Sequence, residues 1–380
     1  MATDTQVQVL AARGGSFLIE ERQPEEVFTP EDLTDEQRMI GDTAGDFAEK
    51  SVLPRLPEML ALKYEATREL MAQAGELGLL GIEVPEEYGG LGLDKVSATV
   101  AAERMAREGS FAVTYMGHTG IGSLPVVYFG NEEQKRKYLP KFASGEWISS
   151  YSLSEASSAS DAMNAKAKAV LSPDGKHWIL NGEKMWLTNG GFADVYITFA
   201  KVDGQHFSCF IIEKGMPGVS LGAEEKKTGI KGSSTRPVIL TDARIPRECL
   251  LGEIGKGHKI AFNVLNVGRF KLGAAVTGAA KMALSVGIKY ANERTQFKRR
   301  ISSFGAIAEK IADLNVDIFA AESLVYRLAG LLDRKLETIE KGGANYYDEY
   351  QKGIEEYASE CGIAKVFCSE VLARTVDEVV

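Results

Sequence analysis

Apolar positions along the chain repeat with two different periods, and the changeover points divide it. Behind Thr34-Asp35-Glu36-Gln37, a hydroxyl cap followed three residues later by an amide, Met39, Ile40, Phe47 and Val52 predict a helix with one buried face ending before Pro54. A second helix is predicted over Thr67–Leu79 and an alanine-rich one over Ser97–Arg107, with the glycine-rich VPEEYGGLGLD loop between them. Asn131-Glu132-Glu133-Gln134 reads as a further helix start ahead of Lys135–Phe142. From Trp147 the period becomes two. Val195–Ala200 and His206–Ile212 read as strands joined at Asp203-Gly204, and Asp174-Gly175 separates Ala165–Leu171 from His177–Leu180 in the same way. Short strands with tight turns predict a small antiparallel sandwich or barrel. After Pro246 the helical period returns. Ile260–Arg294 is rich in Gly and Ala, Phe304, Ile307, Ile311, Leu314, Ile318, Val325 and Leu328 form one stripe, and a last helix is expected over Tyr347–Val380. The expected organisation is an arm (1–30), an N-terminal helical domain (31–146), a middle β domain (147–255) and a C-terminal helical domain (256–380), an α+β, mainly α, fold.

Bulk composition narrows the chemistry. The 380 residues are 44% hydrophobic and 26% charged with a formal net charge of −9, ordinary for a globular protein and unfavourable for a broad phosphate-binding face. Cys209, Cys249, Cys361 and Cys368 lack metal-type spacing, and His118, His177, His206 and His258 are scattered, so no metal site is expected. Neither a membrane span nor a leader pattern is visible, and a cytoplasmic protein is expected.

Two nucleotide-like runs fail on inspection. Gly252-Glu253-Ile254-Gly255-Lys256-Gly257-His258-Lys259 lacks the Lys-Ser/Thr pair of a phosphate loop, and Gly255-Lys256-Gly257 lacks the third glycine and the βαβ setting of a dinucleotide fold. No Ser lies in a nucleophile elbow. Taken singly, Ser154 and Ser160 are ordinary turn hydroxyls, Trp186 is a core residue and Arg294 a solvated helix charge.

Their order changes that reading. YSLSEASSASDA (from Tyr151), NGEKMWLTNGGFADV (from Asn181), KGSSTRPVIL (from Lys231), GEIGKGHKIAFNVLNVGRF (from Gly252) and YANERTQFKRRISSFGAIAEKIADL (from Tyr290) together resemble the acyl-CoA dehydrogenase family from about Phe28 to the last residue. The FTPEDLTDEQ arm and the FNVLNVGRF, ERTQF and SSFG details resemble its long- and very-long-chain branch. The resemblance implies FAD as cofactor, an acyl-CoA thioester as substrate, an electron-transferring flavoprotein as acceptor and a homodimer or homotetramer. It implies that Tyr151, Leu153 and Ser154 line the flavin, with Trp186 packed on the ring and Leu187 and Thr188 beside it. Ser160 would lie near the flavin and the CoA arm, and Asn266 and Arg269 would meet the substrate. Arg294 and Phe297 would reach a neighbouring subunit's FAD. Against the family's TEPxxGSD pattern, Ser154 replaces Thr, Ala156 replaces Pro and Ala159 replaces Gly, and alanine is poorly suited to positive φ.

Removal of the α-proton needs a carboxylate. The position immediately before Arg269, which supplies it in a minority of the family, is Gly268 here. Glu370 and Glu378 read as helix-surface carboxylates. In most of the family the base is a glutamate shortly after a QIHGGxG-like segment, and the matching helix here, CGIAKVFCSEVLARTVDEVV, stops just before that segment would begin. The resemblance therefore implies a base beyond Val380, an incomplete C-terminal domain and a chain inactive alone. An acyl-CoA oxidase, a flavin-dependent hydroxylase and a non-catalytic scaffold are the alternatives.

Overall fold

In a computed structural model of the chain, residues 13–380 are described apart from 17, 18 and 344, so the first part of the predicted arm lies outside the described residues. Helices α1 (Asp35–Phe47), α2 (Leu56–Leu60), α3 (Tyr64–Glu76), α4 (Lys95–Met105), α5 (Gly109–Met116), α6 (Leu124–Phe129) and α7 (Glu132–Ser144) build the N-terminal domain. The two predicted starts are reciprocal caps. The Thr34 hydroxyl accepts the Gln37 N–H and the Gln37 side chain accepts the Thr34 N–H, and Asn131 and Gln134 repeat the arrangement. Of the predicted first-helix face, Ile40, Phe47 and Val52 are buried, but Met39 is exposed. Between α5 and α6 the chain makes a π-helical turn at Gly117–Gly122.

The middle domain holds β1 (Ser149–Ser152), β2 (Lys168–Leu171), β3 (His177–Thr188), β4 (Val195–Val202), β5 (His206–Glu213), β6 (Val219–Leu221), β7 (Thr235–Pro246) and β8 (Leu250–Leu251). The sheet runs β6-β7-β3-β2-β4-β5-β8, with β1 paired to β4. Its hairpins are antiparallel as expected, including β4–β5 around Asp203-Gly204. The expectation of a purely antiparallel domain is corrected, because β4 pairs in parallel with both β1 and β2. Val195–Ala200 looks continuously apolar because β4 is buried on both faces. Val195, Ile197 and Phe199 pack with residues of α6, α7 and the C-terminal domain, while Tyr196 and Ala200 join Trp178, Leu180, Phe210 and Ile245 on the other face.

Helices α8 (Gly257–Glu293), α9 (Gly305–Glu337), α10 (Tyr346–Glu356) and α11 (Ala358–Val379) form the C-terminal domain, with a small hairpin of β9 (Thr295–Gln296) and β10 (Arg299–Arg300) between α8 and α9. The expected single last helix is two helices broken at Tyr357, whose backbone (φ −101°, ψ 22°) leaves the helical range. The α9 stripe is buried from Leu314 through Leu328, whereas Phe304, Ile307 and Ile311 are only half-buried. Small residues let α8 approach closely. A Cβ on Gly278 would lie 2.0 Å from the Glu103 carbonyl oxygen of α4. The described part of the arm lies on this domain, with Phe28 packed over Gly330 and Arg334 Nη1 donating to the Glu26 carbonyl at 2.7 Å.

Candidate functional site

Strand β1 and the loop after it run beside the C-terminal end of β3, so the two stretches singled out in the sequence form one wall. The Ser150 hydroxyl donates to the Thr188 carbonyl at 2.6 Å and the Met185 N–H to the Ser154 carbonyl at 3.0 Å. Asn189, held at φ 67°, donates from Nδ2 to the carbonyls of Thr114 (3.1 Å) and Ser149 (3.3 Å). Tyr151 lies edge-on to Phe199, and its hydroxyl donates to the Ala261 carbonyl of α8 at 3.4 Å. Leu153 and Leu187 are buried behind the wall.

Trp186 is not a core residue. It lies at φ 61° in a bulge where the β3–β7 register shifts between Lys184 and Leu187, and its indole is 53% exposed. Left-handed backbone at a bulky residue is strained by about 1–2 kcal/mol, and here it turns the indole out of the strand. The Trp186 indole N–H and the hydroxyls of Ser154 and Thr188 have no partner among the described residues, and the buried Ser152 hydroxyl and Asn189 Oδ1 are also unpaired. An aromatic face beside unused hydrogen-bonding groups suits a flat heteroaromatic ring such as a flavin. Ala156 and Ala159 are not among the residues with positive φ, so replacing proline and glycine there asks nothing unusual of the backbone.

Behind the wall sits the π-helical turn. A Cβ on Gly117 would meet Thr188 Cγ2 at 3.0 Å, one on Gly122 would meet Ser149 Oγ at 2.3 Å, and one on Gly268 of α8 would meet Ile121 Cγ2 at 3.0 Å. The turn is thus packed between wall and helix. His118 fastens it. Its Nε2 donates to the Phe142 carbonyl at 2.9 Å and its Nδ1 accepts the Ser149 N–H at 3.0 Å, an arrangement that only the neutral ring makes. Burial pushes its pKa down to about 4.

The other expected residues are more dispersed. Asn266 is buried on α8 and accepts from Arg269 Nη1 at 2.7 Å, one turn along, so Arg269 is held by a hydrogen bond within its own helix. Ser160 is exposed at the far end of the loop. Arg294 and Phe297 lie past the end of α8, about 37 Å along the axis from Arg269 at 1.5 Å per residue. Phe297 tips the β9–β10 turn and is 88% exposed. Neither reaches this chain's own wall. Of the carboxylates weighed as base, Glu370 is exposed and Glu378 is paired with Lys310, as expected of surface groups.

Sequence reasoning passed over His118 and a buried ion pair between Lys184 and Glu155 (2.7 Å). Burial alone would raise the Glu155 pKa, but Lys184 and the N–H groups of Lys166 and Ala167 hold it below the usual carboxylate range. The only signal for either was adjacency, since Glu155 follows Ser154 and Lys184 precedes the Met185-Trp186 pair. Among the described residues no cluster suits a metal ion, and no helix is long and apolar enough to cross a membrane.

The fold is mainly helical, with a β domain set between two helical ones and the Trp186 wall facing out of that β domain. Family models for the N-terminal, middle and C-terminal domains of acyl-CoA dehydrogenase match residues 34–146, 150–243 and 255–380. The chain belongs to the acyl-CoA dehydrogenase family. It is 52% identical over 366 residues to a probable acyl-CoA dehydrogenase of Bacillus subtilis, covering 96% of this chain and 62% of that protein. A crystal structure of an acyl-CoA dehydrogenase complexed with FAD from Bacillus anthracis superimposes with a TM-score of 0.95 at 53% identity, covering 97% of this chain and 63% of that one. The chain therefore spans somewhat under two thirds of the length of both relatives. The long-chain branch is more distant, since the very long-chain specific enzyme of Mus musculus is 36% identical over 80% of this chain and 45% of that protein. The C-terminal family model is matched over 255–380, so the expectations of a truncated C-terminal domain and of a chain inactive by itself find no support there.

Proposed function

We propose that the chain binds FAD against the wall formed by Tyr151–Ser160 and Trp186–Thr188 and serves the α,β-dehydrogenation of a fatty acyl-CoA to its trans-2-enoyl-CoA, with an electron-transferring flavoprotein as acceptor. The observation that carries this is Trp186, turned out of its strand beside hydroxyls that have no partner among the described residues. FAD, when bound, would supply the two-electron sink for the β-hydride, and the α-proton would need a carboxylate other than Glu370 and Glu378, which lie at the surface. In this reading Tyr151, Leu153 and Ser154 set the ring's polar edge. Trp186 packs on the ring and excludes water from that side, and Leu187 and Thr188 fix the edge nearest the substrate. Ser160 faces the CoA arm, and the hydrogen-bonded Asn266–Arg269 pair orients the thioester. Arg294 and Phe297, too far along α8 to serve their own chain, serve the FAD of a second copy, and a guanidinium suits a pyrophosphate. The site is then completed by a homodimer or homotetramer.

The test is reconstitution with FAD followed by anaerobic addition of a ladder of acyl-CoA lengths. Flavin bleaching with formation of the enoyl product, and electron transfer to an electron-transferring flavoprotein in preference to oxygen, is the expected result. Rapid reoxidation by air marks the oxidase reading instead, and a chain that retains no FAD overturns both.

A further inference from the structure

The wall has a mechanical weakness at its most important point. The β3–β7 ladder is interrupted between Lys184 and Leu187, so ordinary sheet bonding to β7 does not hold Met185 and Trp186. We infer that the buried Lys184–Glu155 ion pair is a positioning device that sets the Ser154 hydroxyl and the Trp186 indole relative to each other. The inference rests on the FAD reading above.

Three segments converge on the pair. Lys184, fully buried on β3, donates from Nζ to the Leu153 carbonyl (3.0 Å) and to Glu155 Oε1 (2.7 Å). The Glu155 carboxylate also accepts the N–H of Lys166 (2.6 Å) and Ala167 (3.0 Å), where the chain enters β2. The backbone of Glu155 closes on Ser158 through two hydrogen bonds, 2.8 and 3.1 Å, which curl the loop. Ser154 is therefore held from both sides, by the Leu153 carbonyl and the Glu155 carboxylate, and its own carbonyl takes the N–H of Met185. Through the same ammonium, β3 is pinned two residues before Trp186.

Packing does not require this arrangement. A buried ion pair recovers its desolvation cost only when every lone pair and proton is used, and an apolar pair of the same volume is often as stable. An apolar pair cannot hold the Leu153 carbonyl or the N–H groups of Lys166 and Ala167, so it would leave the loop free to shift against Trp186.

The experiment compares Lys184→Met and Glu155→Gln with Glu103→Gln, which breaks a similar buried network (Lys281 at 2.7 Å, Tyr326 at 2.6 Å) in the helical domain, away from the wall. FAD dissociation constants, the visible flavin spectrum at saturating FAD, and thermal midpoints are measured on the full chain. Lys184→Met and Glu155→Gln are expected to weaken FAD binding by about tenfold or more, on the scale of one hydrogen bond to a charged group, and to alter the flavin spectrum. Glu103→Gln is expected to lower the midpoint and leave both flavin readouts unchanged. Lys184→Arg, which keeps the charge and donors, is expected to recover most of the affinity. The inference is overturned if the wall variants lose only thermal stability, or match the Glu103→Gln control in FAD binding. It is also overturned if both fail to fold even with saturating FAD, which would make the pair a requirement of the fold. A wild-type chain that binds no FAD defeats the functional reading itself, a result distinct from all of these.

Discussion

Glu83 is the sharpest test of how this chain tolerates charge in its interior. Its carboxylate is almost entirely buried under the π-helical turn, in salt bridges with the buried Lys95 and Lys271. Lys95 also donates to the Tyr128 hydroxyl at 2.9 Å, and Lys271 to the Thr119 carbonyl at 3.3 Å. Burial alone would raise the Glu83 pKa, but the charges of Lys271 and then Lys95 reverse that and hold it at about 2. The drop from 4.5 to about 2, at about 1.4 kcal/mol per factor of ten, is worth about 3 kcal/mol of stability at neutral pH. Glu83→Gln removes that and strands two ammonium groups, and breaking a buried pair costs about 3–5 kcal/mol. The sign of the pH effect follows from the depressed pKa. The contribution is complete well above 4.5 and is lost as pH falls toward 2, because the unfolded chain takes up the proton first. Urea unfolding of wild type and Glu83→Gln should therefore differ by about 3–5 kcal/mol at pH 7, and the gap should narrow by about 1.4 kcal/mol at pH 3.5. A loss below about 1 kcal/mol at neutral pH, as for an exposed pair, would refute the reasoning, as would a gap that does not change with pH. Burial depresses the Lys271 pKa, whereas Lys95 is held above its ordinary value because Glu83 outweighs burial. Lys271→Met should accordingly be the less costly substitution of the two.

His118 predicts a second pH effect. Its ordinary pKa of 6.5 falls to about 4 on folding, so the unfolded chain protonates first and stability drops by about 3 kcal/mol as pH falls from 6.5 to 4. In His118→Asn the thermal midpoint should be flatter across that window, and a profile as steep as wild type would count against the neutral-ring assignment. Replacing Trp186 with Phe should keep FAD bound but raise its fluorescence, since the indole is the expected quencher; unchanged emission would place the ring elsewhere. Gly278→Ala should destabilise by about 1–3 kcal/mol through overpacking against the Glu103 carbonyl, while Gly268→Ala, which meets only a side-chain methyl at 3.0 Å, should cost less. Equal losses in chemical unfolding would contradict that ranking.

What could be read from the sequence is what is decided locally. Thr34 with Gln37 and Asn131 with Gln134 cap helices using atoms three residues apart, and Asp203-Gly204 turns a hairpin on its own. The parallel pairing of β1 with β4 has no such local signal. It joins Ser149 to Val195 across an intervening hairpin, so the pairing is non-local. The break of the last helix at Tyr357 has no local signal either, because Tyr357 and Cys361, four positions apart, are both buried as they would be on one face of an uninterrupted helix. The same division runs through the site. The exposed Trp186 and the half-buried Ser154 and Thr188 belong to two short motifs whose order along the chain marks the family. The groups that hold them, Glu155 with Lys184 and His118 with Ser149, are single charged or polar residues whose partners are about thirty positions away. In isolation each would be expected at the surface. Trp186 marks the boundary between the two kinds of information. No propensity would place a tryptophan at φ 61°, yet that backbone turn, and not the residue type, is what makes a strand residue into the face of a site.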